Sequence, residues 1–152
     1  MRDYIIRTER LGLRNWIESD LEPFAEMCGD EMVMQHFPKT LTKEETKSFI
    51  GRLKAHFKKY GYTYFAVDIL DNNEFIGFTG LANQTWESKF TPCVDIGWRL
   101  KKSAWGKGYA TEASNACLKV AFEKFGLTEV IAFATNTNDA SQKVMKKNGM
   151  QY

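Results

Sequence analysis

Lys101-Lys102-Ser103-Ala104-Trp105-Gly106-Lys107-Gly108 places two glycines and three lysines within eight residues. Alternate glycines let a backbone turn tightly and gather its N–H groups toward one point. A helix starting behind them would add unpaired N–H groups and a partial positive charge. Such a point suits a phosphate or pyrophosphate, and Lys101, Lys102 and Lys107 add nearby cations. The pattern G-x-x-x-x-G-K-[ST] fails, because Lys101 stands where its first glycine belongs and Gly108 where its hydroxyl belongs. The pattern G-x-G-x-x-G fails at Thr111, and the loop follows a hairpin late in the chain. Taken alone, Gly106 and Gly108 also suit a tight strand-to-helix turn with no ligand.

The loop needs a strand before it and a helix after it. Over 93–100, Val94, Ile96, Trp98 and Leu100 share one face and Cys93, Asp95, Gly97 and Arg99 the other, which predicts a strand. Over 109–125, Ala110, Ala113, Cys117 and Ala121 form a stripe small enough to lie close to a sheet, and Gly126 suits a left-handed cap. Further strands are predicted over 8–14, 64–70, 74–81 and 129–135, with Asp71-Asn72-Asn73 turning a hairpin. Ser19-Asp20-Leu21-Glu22 and Thr42-Lys43-Glu44-Glu45 read as capping boxes opening two early helices. Asn138 can cap a last helix running to Asn148 and Gly149. The order β-α-α-β-β-β-α-β-α indicates an α/β (α+β) fold with mixed strand directions.

The 152 residues suit one domain with a real core. Charged residues at 26% and hydrophobic ones at 43% place the chain among soluble globular proteins. A net charge of +2 makes no electrostatic case for nucleic acid as a partner. No apolar run approaches the roughly 20 residues of a membrane span, and the N-terminus has no signal-peptide apolar region. Cys28, Cys93 and Cys117 lie in apolar patterns and read as buried free thiols, for which a reducing cytoplasm is the simplest compartment. His36 and His56 have no metal-ligand spacing with them, so no metal is expected.

Ile96-Gly97-Trp98-Arg99-Leu100, Trp105-Gly106-Lys107-Gly108-Tyr109-Ala110-Thr111-Glu112-Ala113, Asn136-Thr137-Asn138-Asp139-Ala140-Ser141 and Lys147-Asn148-Gly149-Met150 closely resemble the GNAT superfamily of N-acetyltransferases. Thr8-Glu9-Arg10-Leu11, continued by Leu13-Arg14, is similar to the first strand of its RimJ/RimL branch of ribosomal-protein N-terminal acetyltransferases. The resemblance covers nearly the whole chain. It implies a mostly antiparallel central sheet flanked by four helices and splayed between the fourth and fifth strands, where acetyl-CoA binds. It further implies that backbone groups of Trp98, Arg99 and Leu100 pair with pantetheine. The N–H groups of Trp105, Gly106, Lys107, Gly108, Tyr109 and Ala110 would cradle the pyrophosphate. Asn138 would touch pantetheine or cap its helix, and Ser141 would hydrogen-bond the departing sulfur or satisfy its own backbone. Asp95 stands where the family often has a glutamate base; the other reading is a strand carboxylate paired with Arg99. A backbone N–H within 96–98 would polarise the thioester carbonyl, with no acyl-enzyme and no role for the cysteines.

Two departures stand out. Ser103 replaces the Gln or Arg that usually opens the loop, and the chain ends at Tyr152, where the family usually continues into another strand or hairpin. Residues 1–152 therefore read as one acetyltransferase domain whose C-terminal strand or strands are missing. Phe37, Trp86 and Phe90 either line an acceptor pocket or anchor loops. The acceptor would be a protein N-terminus or a small amine, and the protein a monomer or homodimer. The alternative is a non-catalytic acyl-CoA-binding module; a nucleotide-binding enzyme is a third reading.

Overall fold

The computed structural model describes residues 2–85, 87, 89, 91–134 and 138–151. The segment expected to be one strand over 8–14 turns instead, giving β1 (Ile6–Arg7) and β2 (Leu11–Arg14). The turn is closed by Thr8 N donating to Leu11 O at 2.9 Å and Leu11 N donating to Thr8 Oγ1 at 3.0 Å. β3 (Tyr64–Ile69), β4 (Glu74–Gln84) and β5 (Cys93–Leu100) complete an antiparallel sheet in the order β1-β2-β3-β4-β5. β4 outruns its expected end at Leu81, and Asn83 and Gln84 pair with Val94 and Cys93.

The expected strand over 129–135 is reduced, among the described residues, to one parallel bridge between Ile131 and Asp95. Thr135 lies outside the described residues. Among the described residues no further bridge joins the two segments past Ile131, in keeping with the expected splay.

Four helices are described: α1 (Leu21–Cys28), α2 (Lys43–Tyr60), α3 (Tyr109–Glu123) and α4 (Asp139–Lys147). Thr42 caps α2 as expected, its Oγ1 accepting from Glu45 N at 3.1 Å while Glu45 Oε1 accepts from Thr42 N at 3.0 Å. The box expected at Ser19 does not form. Asp20 is drawn instead to Ile17 N and to the Arg14 guanidinium, and Glu22 pairs with Lys43. α3 stops before its expected end at Phe125, and Gly126 turns left-handed at φ 69°.

The two faces of the sheet bury different residues. On one, α3 lays Ala113, Cys117 and Ala121 against Ile96 and Leu100. On the other, α1 and α2 cover an aromatic cluster of Trp16, Phe24, Phe49, Phe75 and Phe78. On the aromatic face, beside that cluster, runs a buried ion network. Arg14, 3% exposed, reaches Asp20 with both terminal nitrogens at 2.9 Å, and Asp68 through Nε at 2.8 Å and Nη2 at 2.9 Å. Arg2 Nη1 and Tyr4 Oη donate to the same Asp68 carboxylate at 2.6 and 2.9 Å.

Candidate active site

Strand geometry decides where β5 is open. Ile96 N donates to Ile131 O at 2.8 Å and Ile131 N donates to Val94 O at 3.0 Å, so Val94 and Ile96 point away from β4. Peptide groups alternate sides along a strand, so Gly97 and Arg99 bond toward Gly80 and Phe78 of β4. The next outward peptide is that of Trp98. Leu100 also faces outward, but its carbonyl accepts the Trp105 indole N–H at 2.9 Å. Of the three backbone stations expected here, Trp98 is the one that faces outward with no hydrogen-bond partner among the described residues. The opening leads into a cleft of about 640 Å³ walled by Asp95, Trp98, Arg99, residues 104–106 and 108–111, Asn138, Ser141, Phe37 and Tyr64.

The floor of the loop matches its sequence. Gly106 and Gly108 have φ of 74° and 81°, the left-handed region that glycine reaches without a Cβ penalty. The first hydrogen bond of α3 joins Glu112 N to Gly108 O at 3.0 Å, so the amides of Tyr109, Ala110 and Thr111 lie ahead of it. The loop is tied to the β1–β2 turn. Arg10 Nη1 donates to Lys107 O at 2.9 Å, its Nε to Glu112 Oε1 at 2.7 Å, and its guanidinium lies 4.5 Å over the Tyr109 ring. Tyr109 and Glu112 therefore serve packing and fastening. The Lys101 ammonium pairs with Glu74, and Lys107 is not part of the cleft wall; Lys143 and Lys147 of α4 are.

Asp95 is 8% exposed and points to the aromatic side of the sheet. Its partner is not Arg99. Oδ1 accepts from Tyr64 Oη at 2.6 Å, and Oδ2 from Gln84 Nε2 at 3.1 Å. Burial pushes the carboxyl above its ordinary value, against the opposing pull of the Tyr64 and Gln84 hydrogen bonds. Tyr64 and Gln84 carry no sequence motif. The signal for Tyr64 lies in the register: Tyr64, Gly80 and Gly97 stand in one row across β3, β4 and β5. A Cβ on Gly97 would sit 3.0 Å from the Tyr64 ring, so that glycine makes room for the tyrosine to reach Asp95.

Asn138 caps α4, its Oδ1 accepting from Ser141 N at 3.1 Å. The Trp98 indole donates to Ser141 Oγ at 3.2 Å, which leaves the serine O–H free to donate elsewhere. Arg99 turns into the aromatic cluster, with its guanidinium 4.4, 5.1 and 5.7 Å from the Phe37, Phe78 and Phe49 ring centres and Nη1 3.4 Å from Cys28 Sγ. Phe37 lines the cleft; Trp86 and Phe90 lie outside the described residues. The buried Cys117 thiol is pushed up to about 12, and Cys28 and Cys93 also rise by burial, so none is poised as a thiolate nucleophile. Among the described residues no His, Cys, Asp or Glu cluster could hold a metal ion, and no helix is long and apolar enough to cross a membrane.

An open strand edge, a left-handed glycine loop at a helix start and a buried carboxylate now meet in one cleft. Residues 10–151 match the family model described as an acetyltransferase (GNAT) domain. YnaD of Bacillus subtilis (strain 168), described as an uncharacterized N-acetyltransferase, is 31% identical over 147 residues, which are 96% of this chain and 82% of that protein. The crystal structure of a GNAT-family acetyltransferase from Bacillus anthracis superposes with a TM-score of 0.81 at 29% identity, covering 96% of this chain and 82% of that one. RimL, a ribosomal L7/L12 alpha-N-protein acetyltransferase solved with coenzyme A, shares the fold at a TM-score of 0.77 and 20% identity, with 96% and 82% covered. By its cleft and by these likenesses, the chain belongs to the GNAT acetyltransferase family and is an N-acetyltransferase.

Proposed function

We propose that the chain transfers an acetyl group from acetyl-CoA to a primary amine by direct transfer in a ternary complex. The observation that carries this reading is the outward peptide of Trp98, set in the same cleft as Asp95, Ser141 and the glycine loop. These residues fit acetyl-CoA. The left-handed loop and the amides opening α3 suit its pyrophosphate, and the Trp98 carbonyl offers pantetheine an acceptor. Acetyl-CoA brings an activated acetyl group and a thiol leaving group. Asp95 takes the proton the amine loses as its nitrogen bonds the carbonyl carbon. With the Ile96 N–H committed to Ile131, the Trp98 N–H is the donor left to draw charge onto the carbonyl oxygen. The Ser141 O–H supports the sulfur as the C–S bond breaks.

Residues 1–152 act as one acetyltransferase domain. Thr8-Glu9-Arg10-Leu11 and Leu13-Arg14 support the RimJ/RimL-like branch, whose acceptors are protein N-termini, alongside small amines as the other acceptor class. The test is thiol release from acetyl-CoA across a panel of peptide N-termini and small amines. Amine-dependent release is expected. Acetyl-CoA binding with no release across the panel would establish a binding module instead.

Two variants probe the machinery. Gly108→Ala forces a side chain into φ 81°, with its Cβ 3.4 Å from Arg10 Nη2. That strain, roughly 1–2 kcal/mol, is expected to raise KM for acetyl-CoA about tenfold. An unchanged KM would show that the loop does not hold the coenzyme. Tyr64→Phe removes a hydrogen bond that lowers the Asp95 pKa. The carboxyl then rises further, its base form needs a higher pH, and the acidic limb of the kcat/KM profile moves upward. A limb that stays put or moves down counts against Asp95 as the base.

A further inference from the structure

We infer that Arg99 is an acceptor-side anion anchor, selecting a small primary amine that carries a carboxylate in the same molecule. The inference rests on the acetyl-transfer reading above. Arg99 lies on the Asp95 side of β5, at i+4, with Gly97 between them. At about 3.3 Å per residue, the two Cα atoms are roughly 13 Å apart, and the side-chain-free Gly97 marks the space between. The amine end of an acceptor faces Asp95; the guanidinium waits at the other end of the same face.

The guanidinium has no counter-charge among the described residues. Among the described residues no carboxylate forms an ion pair with it, and its buried Nε has no hydrogen-bond partner. Cys28 Sγ, a weak acceptor, and the faces of three phenylalanines are its surroundings. Burying a charge without an opposite one is unfavourable, and cation–π contacts offset only part of the cost. The contrast with Arg14 is instructive: that buried arginine holds two carboxylates of its own chain. Arg99 instead lines the cleft, where an incoming carboxylate can pair with the terminal nitrogens of its guanidinium. Phe37, 44% exposed, forms the rim over it. The same cation disfavours polyamines, which would bring like charge to this lobe.

The experiment compares free amino acids with their carboxamides, which keep the amine and shape but lose the anion, and adds tripeptides with an acidic second residue. The α-, β- and γ-amino acids vary the spacing. Wild type is expected to favour acid over amide by about 10- to 100-fold in kcat/KM. Arg99→Gln should bring the ratio to near one; Arg99→Lys, which keeps charge without the fork, should give an intermediate ratio. Thermal midpoints establish that both variants fold. A wild-type ratio near one, an equal loss on both arms in Arg99→Gln, or a preference confined to the peptides would overturn the inference. Calorimetric binding of the same pairs to protein loaded with coenzyme A separates the two claims. Arg99-dependent carboxylate binding without turnover keeps the anchor and removes the transfer reading, whereas no carboxylate binding removes the anchor itself.

Discussion

Asp95→Asn is expected to lower kcat by about 100- to 10,000-fold, the usual range for removing a general base, while leaving acetyl-CoA affinity near that of wild type. Asparagine keeps the shape: its Oδ1 can still accept from Tyr64 Oη, and its Nδ2 can donate to Gln84 once that amide turns its Oε1 inward, so the local packing survives. What is lost is the ability to take a proton from the amine. An acceptor amine with a pKa of about 8–10 is largely protonated at neutral pH, so proton removal is a real part of the barrier. Raised by burial, Asp95 is a stronger base than an exposed aspartate. The measurement is steady-state kcat together with a binding isotherm for acetyl-CoA. A wild-type kcat in the variant would remove Asp95 from the chemistry.

Arg14→Met should be the most destabilising single change in the fold. It leaves Asp68 and Asp20, 0% and 2% exposed, without the guanidinium that both accept from. Removing one partner of a buried ion pair costs about 3–5 kcal/mol. For a chain of this length that is a fall in Tm of roughly 10 °C. Replacing Arg14, Asp20 and Asp68 together by apolar residues of similar volume should cost less, because no charge is then stranded. The network also sets acid stability. Burial works to raise the Asp68 pKa, but the hydrogen bonds from Arg14 and Arg2 and the Arg14 charge outweigh it, and the value falls below that of an ordinary aspartate. A depressed carboxylate contributes stability above its unfolded pKa of about 3.9 and loses it as pH drops through the lower folded value. Wild type should lose stability in that acid window, and Arg14→Met should lose much less there. Thermal melts across pH check both. A Tm within a few degrees of wild type would mean the network is not a stabilising element.

The loop and its helix were legible because their cause is local. Gly106 and Gly108 reach left-handed φ at a strand-to-helix junction, and Ala113, Cys117 and Ala121 recur at helical spacing. The two faces of β5 were legible for the same reason, through alternation alone. The partners of Asp95 and Arg14 were not. Tyr64 meets Asp95 across 31 residues and Arg14 meets Asp68 across 54, and both contacts depend on strand register rather than on any pattern within a segment. The alternative pairing of Asp95 with Arg99, suggested by their place on one strand face, does not form; the Arg99 side chain turns instead into phenylalanines contributed by α2, β4 and the segment after α1. The β1–β2 turn was missed because Thr8 closes it with a side-chain hydrogen bond in a sequence that alternates like a strand. The segment over 129–135 has strand composition, yet among the described residues its one bridge to β5 is that of Ile131 with Asp95.

The central claim is direct transfer from acetyl-CoA to an amine in one complex, and a single-turnover experiment tests it most directly. Enzyme in excess is mixed with acetyl-CoA, with and without an acceptor amine, and released thiol and acetylated amine are counted. The account predicts no thiol without amine and one thiol for each amine acetylated. A burst of thiol in the absence of amine, with the acetyl group left on the protein, would contradict it.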